Sequence, residues 1–388
     1  GHAQPAHGQR AHRGVVGQVL AGGGTVDNTN ATAITLTTGG NNTSTTFSGV
    51  IQDTGGNLTF TKTGTGTQTL SGTTANTFAG NLNVNDGTLA LGKTAGVNAY
   101  AGGTINIGDG VGAADSAVLR LDSSNQIINT AALVFASDGR LDLNGQAETV
   151  ASIAGSGEIA IGTGQLTAGN ALNTVFSGEL TGTTGTFTKT GSGTLTLAST
   201  INYGGVFELA AGTLSLSGIA ANIGTLTLTG NSTIDFAGTA SLNVTNLNLN
   251  GFTLNITNWT NATDYFFAAN WSGAVTDTTG AAPMNQVTFN GFAASDTKWQ
   301  GYDSQVTPVP EPSTYGALLL GVLIESGGLG QGMKHPDVAD VDARGGRSGR
   351  LERRREQANR FQIGLDAGIV PHRLLVDGQG PFPAEDIQ

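Results

Sequence analysis

The chain has 388 residues, of which 61 are glycine, 6% are aromatic, 12% are charged and none is cysteine, and its formal net charge is −11. This composition excludes disulfides, zinc thiolates and thiol chemistry, and it suits many short strands and tight turns better than an ordinary aromatic-rich core. Phosphate binding needs clustered Lys and Arg, and no such cluster precedes Arg344, so nucleic acid is not an expected partner. Residues 1–324 hold 8 Lys/Arg against 18 Asp/Glu, whereas 325–388 hold 9 against 10, so the two parts differ in kind. The histidines are His2, His7, His12, His335 and His372, which rules out a His-based triad or His-ligated metal between residues 13 and 334.

Residues 1–24 read as an irregular, disordered leader. They begin at Gly1 rather than Met and lack the apolar run of a signal peptide, so the natural start is expected to lie elsewhere or to be altered. From about Thr25 the chain alternates apolar and small polar residues, broken by Gly and Asn. Ala33-Ile34-Thr35-Leu36-Thr37, Asn57-Leu58-Thr59-Phe60-Thr61, Val118-Leu119-Arg120-Leu121-Asp122 and Leu242-Asn243-Val244-Thr245-Asn246-Leu247 each predict a strand with one buried face. No comparable stretch has helical period.

One block is written twice. Thr59-Phe60-Thr61-Lys62-Thr63-Gly64-Thr65-Gly66-Thr67 recurs 127 positions later as Thr186-Phe187-Thr188-Lys189-Thr190-Gly191-Ser192-Gly193-Thr194. Downstream, Asp86-Gly87-Thr88-Leu89-Ala90-Leu91 has its partner in Ala211-Gly212-Thr213-Leu214-Ser215-Leu216. A sandwich has no reason to rewrite such a block, whereas stacked coils must each present the same inward face to the next. The expected fold is therefore all-β, a right-handed parallel β-helix (β-solenoid) over residues 25–250, with coils of roughly 20 to 30 residues. Phe60 and Lys62 share a parity, as do Phe187 and Lys189. An unpaired ammonium inside a coil costs several kcal/mol, so each strand is expected to end at or just before its lysine, which then sits in solvent at a Thr-Gly-x-Gly corner.

Residues 47–91, with Phe-Ser-Gly-Val-Ile, Leu-Thr-Phe-Thr-Lys-Thr-Gly-Thr-Gly-Thr, Asn-Thr-Phe-Ala-Gly and Asp-Gly-Thr-Leu-Ala-Leu, resemble the autotransporter-associated β-strand repeat. Residues 174–216 resemble it too but depart at Ile201-Asn202-Tyr203, where an element is compressed. The resemblance implies a β-helical, passenger-type stalk on a bacterial surface. An autotransporter passenger would also call for a C-terminal barrel of alternating membrane strands, a pattern this chain does not show.

Aromatics concentrate over 251–306 (Phe252, Trp259, Tyr265, Phe266, Phe267, Trp271, Phe289, Phe292, Trp299, Tyr302), which predicts a C-terminal cap on the open solenoid end. The competing reading is a sugar-stacking platform at Trp259, Trp271 and Trp299. Residues 307–324 follow, with Val309, Pro310, Glu311, Pro312, Ser313 and Thr314 before an apolar run too short for a bilayer. This stretch is similar to the PEP-CTERM sorting signal, and the resemblance implies an exosortase-type sorting enzyme and a membrane as partners. It departs after Ile324, where Glu325 interrupts the apolar run and Arg353-Arg354-Arg355 arrive late. Residues 325–388 are expected to be a disordered polar tail from a shifted frame or joined fragment.

Asp109, Asp115, Asp122, Asp138 and Asp142, with Arg120 and Arg140, are scattered singly, and the two charged strands read as a modest surface ladder rather than a carboxylate pair. Catalytic residues, a metal site and a cofactor are therefore not expected. The turn Ile107-Gly108-Asp109-Gly110 lacks the repetition of calcium-binding coils. The sequence thus predicts a non-enzymatic, exported surface or extracellular-matrix solenoid of a Gram-negative bacterium, adhesin-like and sorted through Pro310-Glu311-Pro312. The alternative is a carbohydrate-binding or polysaccharide-cleaving β-helix, with an exopolysaccharide as partner.

Overall fold

The computed structural model describes residues 19–271, 283–300 and 304–308. They build a parallel β-solenoid of about 12 turns. One sheet of twelve strands runs the length of the stack, from Ile34–Thr38 to Val287–Phe289. A seven-stranded sheet from Thr45–Phe47 to Glu179–Thr181 forms the second face of the earlier coils. Another seven-stranded sheet, from Ala147–Val150 to Tyr265–Trp271, forms the third face of the later ones. Every ladder in these sheets is parallel. The register offset between neighbours ranges from 18 residues (Leu141↔Ile159) to 33 (Ile256↔Phe289), which brackets the coil length.

The alternation in the sequence is what builds this. In Leu58–Lys62 the pattern is buried, half-buried, buried, half-buried, buried, so Leu58 and Phe60 point inward while Thr59 and Thr61 face out. Stacking then makes columns of like residues: Leu36, Phe60, Leu82, Ile105, Leu133 and Ile153 are successive register partners in one sheet. All are buried, and together with the other inward residues they form a single apolar core along the stack. Burying each such side chain is worth about 1.5–3 kcal/mol, so stability accumulates coil by coil.

The ladder does not stop near residue 250. Strands Leu254–Thr257, Tyr265–Trp271 and Val287–Phe289 add three further rungs, and only then does the antiparallel pair Thr297–Trp299 and Val306–Pro308 break the pattern. Fourteen residues of this aromatic-rich stretch are thus coil members, with Phe266 and Phe289 inside the stack.

The duplicated block occupies different places in the two copies. Leu58–Lys62 lies in the twelve-stranded sheet and the following Thr67–Gly72 in the second face. In the copy, Thr186–Lys189 lies in the third face and Thr194–Leu197 in the twelve-stranded sheet. Since a coil visits the faces in the order first, second, third, the copy is displaced by one face around the stack. The compressed stretch at 201–203 becomes the start of a nine-residue strand, Ile201–Leu209, with a register shift between Tyr203 and Val206. The long strands that follow, Ala220–Leu228 and Ser241–Asn248, pair with a constant offset of 21 residues, with Gly224 and Thr245 left out of the register.

Candidate functional site

The chemistry-bearing feature of the repeat is a buried ammonium. Strands Leu58–Lys62 and Thr186–Lys189 do end at their lysines, but neither lysine is in solvent: Lys62 is 0% exposed and Lys189 2%. The expectation of solvated corner residues is therefore corrected, and the geometry gives the reason. Lys62 Nζ donates to the carbonyl oxygens of Thr63 (3.0 Å), Gly64 (2.7 Å) and, on the next coil, Asp86 (2.9 Å). Lys189 Nζ repeats this with Thr190 (2.9 Å), Gly191 (3.1 Å) and Ala211 (3.1 Å). An ammonium has three donors, and each corner supplies three carbonyls that the sheet ladder does not use. The cost of burial is thereby offset, and the lysine ties one coil to the next.

The rest of the motif makes room for this contact. Gly87 and Gly212 have φ of +64° and +73°, and a Cβ at either would lie 2.8 Å from the ammonium of Lys62 or Lys189. The recurring Gly-Thr-Leu after the turn is thus a clearance for the lysine of the preceding coil. Burial pulls both lysines down to about 8, with the Asp86 charge opposing it at Lys62.

A third member was not identified in the sequence. Lys93 is 1% exposed, and its Nζ donates to Gly49 O and Ser71 O, both at 3.0 Å. Its signal was present in Leu89-Ala90-Leu91-Gly92-Lys93, where Leu89, Leu91 and Lys93 share the inward parity. Burial lowers its pKa as well.

The opposite charge is handled in the same way. Glu148, 2% exposed, accepts backbone N–H groups from Gln126 (2.7 Å), Thr149 (3.1 Å) and Ile127 (3.2 Å). Burial pushes it up to about 7 against those bonds. Asp264 is fully buried and accepts from Ala240 and Thr260. Asn76 and Gln126 bridge coils through Ala99 O and the Lys93 N–H. These polar side chains act as corner ties.

The scattered charges do not converge. Arg120 and Asp122 pair within one strand at 2.7 Å, and Asp142 lies opposite Arg120 in the next coil. Arg140 faces Glu158 at 3.5 Å and Asp115 at 4.0 Å. Partial burial first, and the Glu158 carboxylate second, raise the Asp115 pKa. Asp138 is buried and accepts the N–H groups of Gly110 and Asp109, while the Asp109 carboxylate accepts from Val111. Among the described residues no group of three or more His, Cys, Asp or Glu side chains comes together to hold a metal ion.

The tryptophans pack inward. Trp271 and Trp299 are 6% and 9% exposed with ring centroids 6.2 Å apart, and Trp299 Nε1 donates to Ala268 O at 2.8 Å. Trp259 is half-buried edge-on between Phe236 and Phe289. The structure therefore gives each of these three rings aromatic packing partners. The residues Val309, Pro310, Glu311, Pro312, Ser313 and Thr314 lie outside the described residues, as do residues 1–18 of the expected leader and all of 325–388, whereas the end of that leader is ordered, with Gly22 bridged to Phe47. Among the described residues no helix is long and apolar enough to cross a membrane.

Fold and corners together define a class, a parallel β-solenoid whose lysine-bearing corner is a reusable unit. Residues 60–91 and 187–216 match the family model of the passenger-associated-transport-repeat. Both matched stretches run from the inward phenylalanine through the caged lysine to the Gly-Thr-Leu strand of the next coil. No curated protein and no solved structure matches the chain.

Proposed function

We propose that this chain is a non-enzymatic solenoid that is exported and displayed at a bacterial surface or in its extracellular matrix, serving as a stalk or adhesin-like spacer. The observation that carries the reading is the coincidence of the two passenger-associated-transport-repeat matches with the caged-lysine corners. The charged groups inside the stack are spent on tying coils together, which is structural chemistry. Attachment runs through Pro310-Glu311-Pro312, read by an exosortase-type enzyme at the membrane.

The test is protease shaving of intact Gram-negative cells expressing the chain with an epitope tag in the exposed turn near Val111, which is 74% exposed. Loss of the tag from intact cells supports display, and a tag found wholly in the cytoplasmic fraction overturns it. Replacing Pro310, Glu311 and Pro312 by alanine is expected to change how much chain stays with the cells. An unchanged distribution would refute the sorting part alone.

A further inference from the structure

Strand Ile201–Leu209 shifts register between Tyr203 and Val206, next to an open part of the surface. An open groove of about 740 Å³ lies there, and Asn202, Asn222, Asn243, Thr245, Phe267 and Ser304 are among the side chains that line it. Asn202, Asn222, Asn243 and Phe267 are successive register partners on four neighbouring coils. The amides are linked: Asn222 Nδ2 donates to Asn202 Oδ1 at 2.7 Å and Asn243 Nδ2 to Asn222 Oδ1 at 2.9 Å.

An amide has two N–H donors and an oxygen with two lone pairs, and this ladder uses only one N–H of Asn222 and of Asn243. Among the described residues the second N–H of each, both of Asn202 and the Asn243 oxygen are left toward the groove. At the last coil the row ends in aromatic faces. Phe267 and Tyr265 stack with centroids 5.9 Å apart and planes 7° apart, and Tyr265 is 40% exposed.

We propose that this groove binds a linear, uncharged polysaccharide laid along the solenoid axis. The coil repeat of about 4.8 Å presents one amide per step over roughly 14 Å, and an extended glycan advances one ring by a similar distance. Amides pair with sugar hydroxyls as both donor and acceptor, while the Phe267 ring, backed by Tyr265, takes the apolar side of a sugar. No charged residue lines the groove, which selects against uronate or sulfated chains. A peptide strand is disfavoured because Ile201–Leu209, Ala220–Leu228 and Ser241–Asn248 are each paired on both sides, and the terminal strand Tyr265–Trp271 is met on its outer side by the Phe267–Gln305 bridge and the Ala268 N–H to Ser304 O bond. A similar pair, Asn83 and Asn106, is linked at 2.8 Å on the twelve-stranded face, but neither residue lines this groove.

Binding to the purified full chain is read by titration calorimetry, independently of where the chain resides. The probes are cellohexaose, laminarihexaose and mannohexaose, with hexagalacturonate as the charged comparison. At least one uncharged hexamer is expected to bind saturably, and to weaken about tenfold or more in the Asn222→Ala/Asn243→Ala variant and in Phe267→Leu. Asn83→Ala/Asn106→Ala is expected to leave binding unchanged, and circular dichroism confirms that each variant folds. The proposal is overturned if no uncharged hexamer binds, if hexagalacturonate binds as tightly, or if the groove variants bind like the parent. It is equally overturned if the groove variants only abolish self-association. Failure here would leave surface display untouched, since that is read by shaving.

Discussion

Replacing Lys62 by methionine keeps most of the buried stem and removes the ammonium. Three carbonyls, of Thr63, Gly64 and Asp86, then lose the donor they share. Hydrogen bonds to a charged group are worth about 1.5–3 kcal/mol each, so the gross loss is about 4.5–9 kcal/mol. Against it stands the relief of a buried charge. A pKa drawn from 10.5 to about 8 corresponds to about 3 kcal/mol of penalty on the ammonium. The difference, a few kcal/mol, is the expected destabilisation at pH 7, measured by urea unfolding followed by circular dichroism. The pH dependence adds a second readout. Because the folded pKa is the lower one, the unfolded chain binds more protons between about 8 and 10.5, and this lysine makes the parent gain stability as pH rises through that window. The parent and Lys62→Met curves should therefore separate further from pH 8 to pH 10. A variant as stable as the parent at pH 7, with parallel curves above pH 8, would refute the caged-ammonium reasoning.

Further outcomes follow from the same geometry. Lys189→Met should cost a similar amount, since its three carbonyl partners are equivalent although it sits on another face; a tenfold smaller effect in the same unfolding assay would count against equivalence. Gly87→Ala and Gly212→Ala combine a left-handed backbone with a methyl group 2.8 Å from the ammonium, so each should lose about 2 kcal/mol or more, whereas Gly96→Ala, also at positive φ but with open space, should lose only about 1. Glu148 has a raised folded pKa, so its contribution is full below about 4.5 and is lost as pH rises through 7. Thermal midpoints of Glu148→Gln between pH 4 and 8 should lack that slope, and an identical slope would dismiss the effect. Trp299→Phe deletes the bond to Ala268 O and should cost about 1 kcal/mol.

Much of the architecture was legible because a solenoid coil leaves its period in the chain. Leu58, Thr59, Phe60 and Thr61 alternate, the alternation sets the inward face, and the recurrence of the block makes stacking the consistent solution. The lysines were misjudged on solvation because burial was weighed for an unpaired ammonium. Nothing local to Lys62 announces that Asp86, 24 residues on, brings its carbonyl within 2.9 Å. Lys93 was hidden for the same reason, its partners being Gly49 and Ser71 on earlier coils. The amide row of Asn202, Asn222 and Asn243 could have been sought at offsets of 20 and 21 residues, but only the folded surface shows that it lines a groove. The tryptophans stand out in the composition, and the burial of Trp271 and Trp299 became visible only in the fold.

The displacement of the second block by one face has a consequence for how such a chain can change length. The block encodes a corner and is indifferent to which of the three corners it makes. Unequal exchange between the two copies would therefore not delete a whole number of coils. It would excise five turns and a fraction, Lys93 among them, leave one caged lysine where Lys62 and Lys189 had been two, and leave all that follows rotated by one face. The groove of Asn202, Asn222 and Asn243 would then look out in a new direction from an otherwise intact rod.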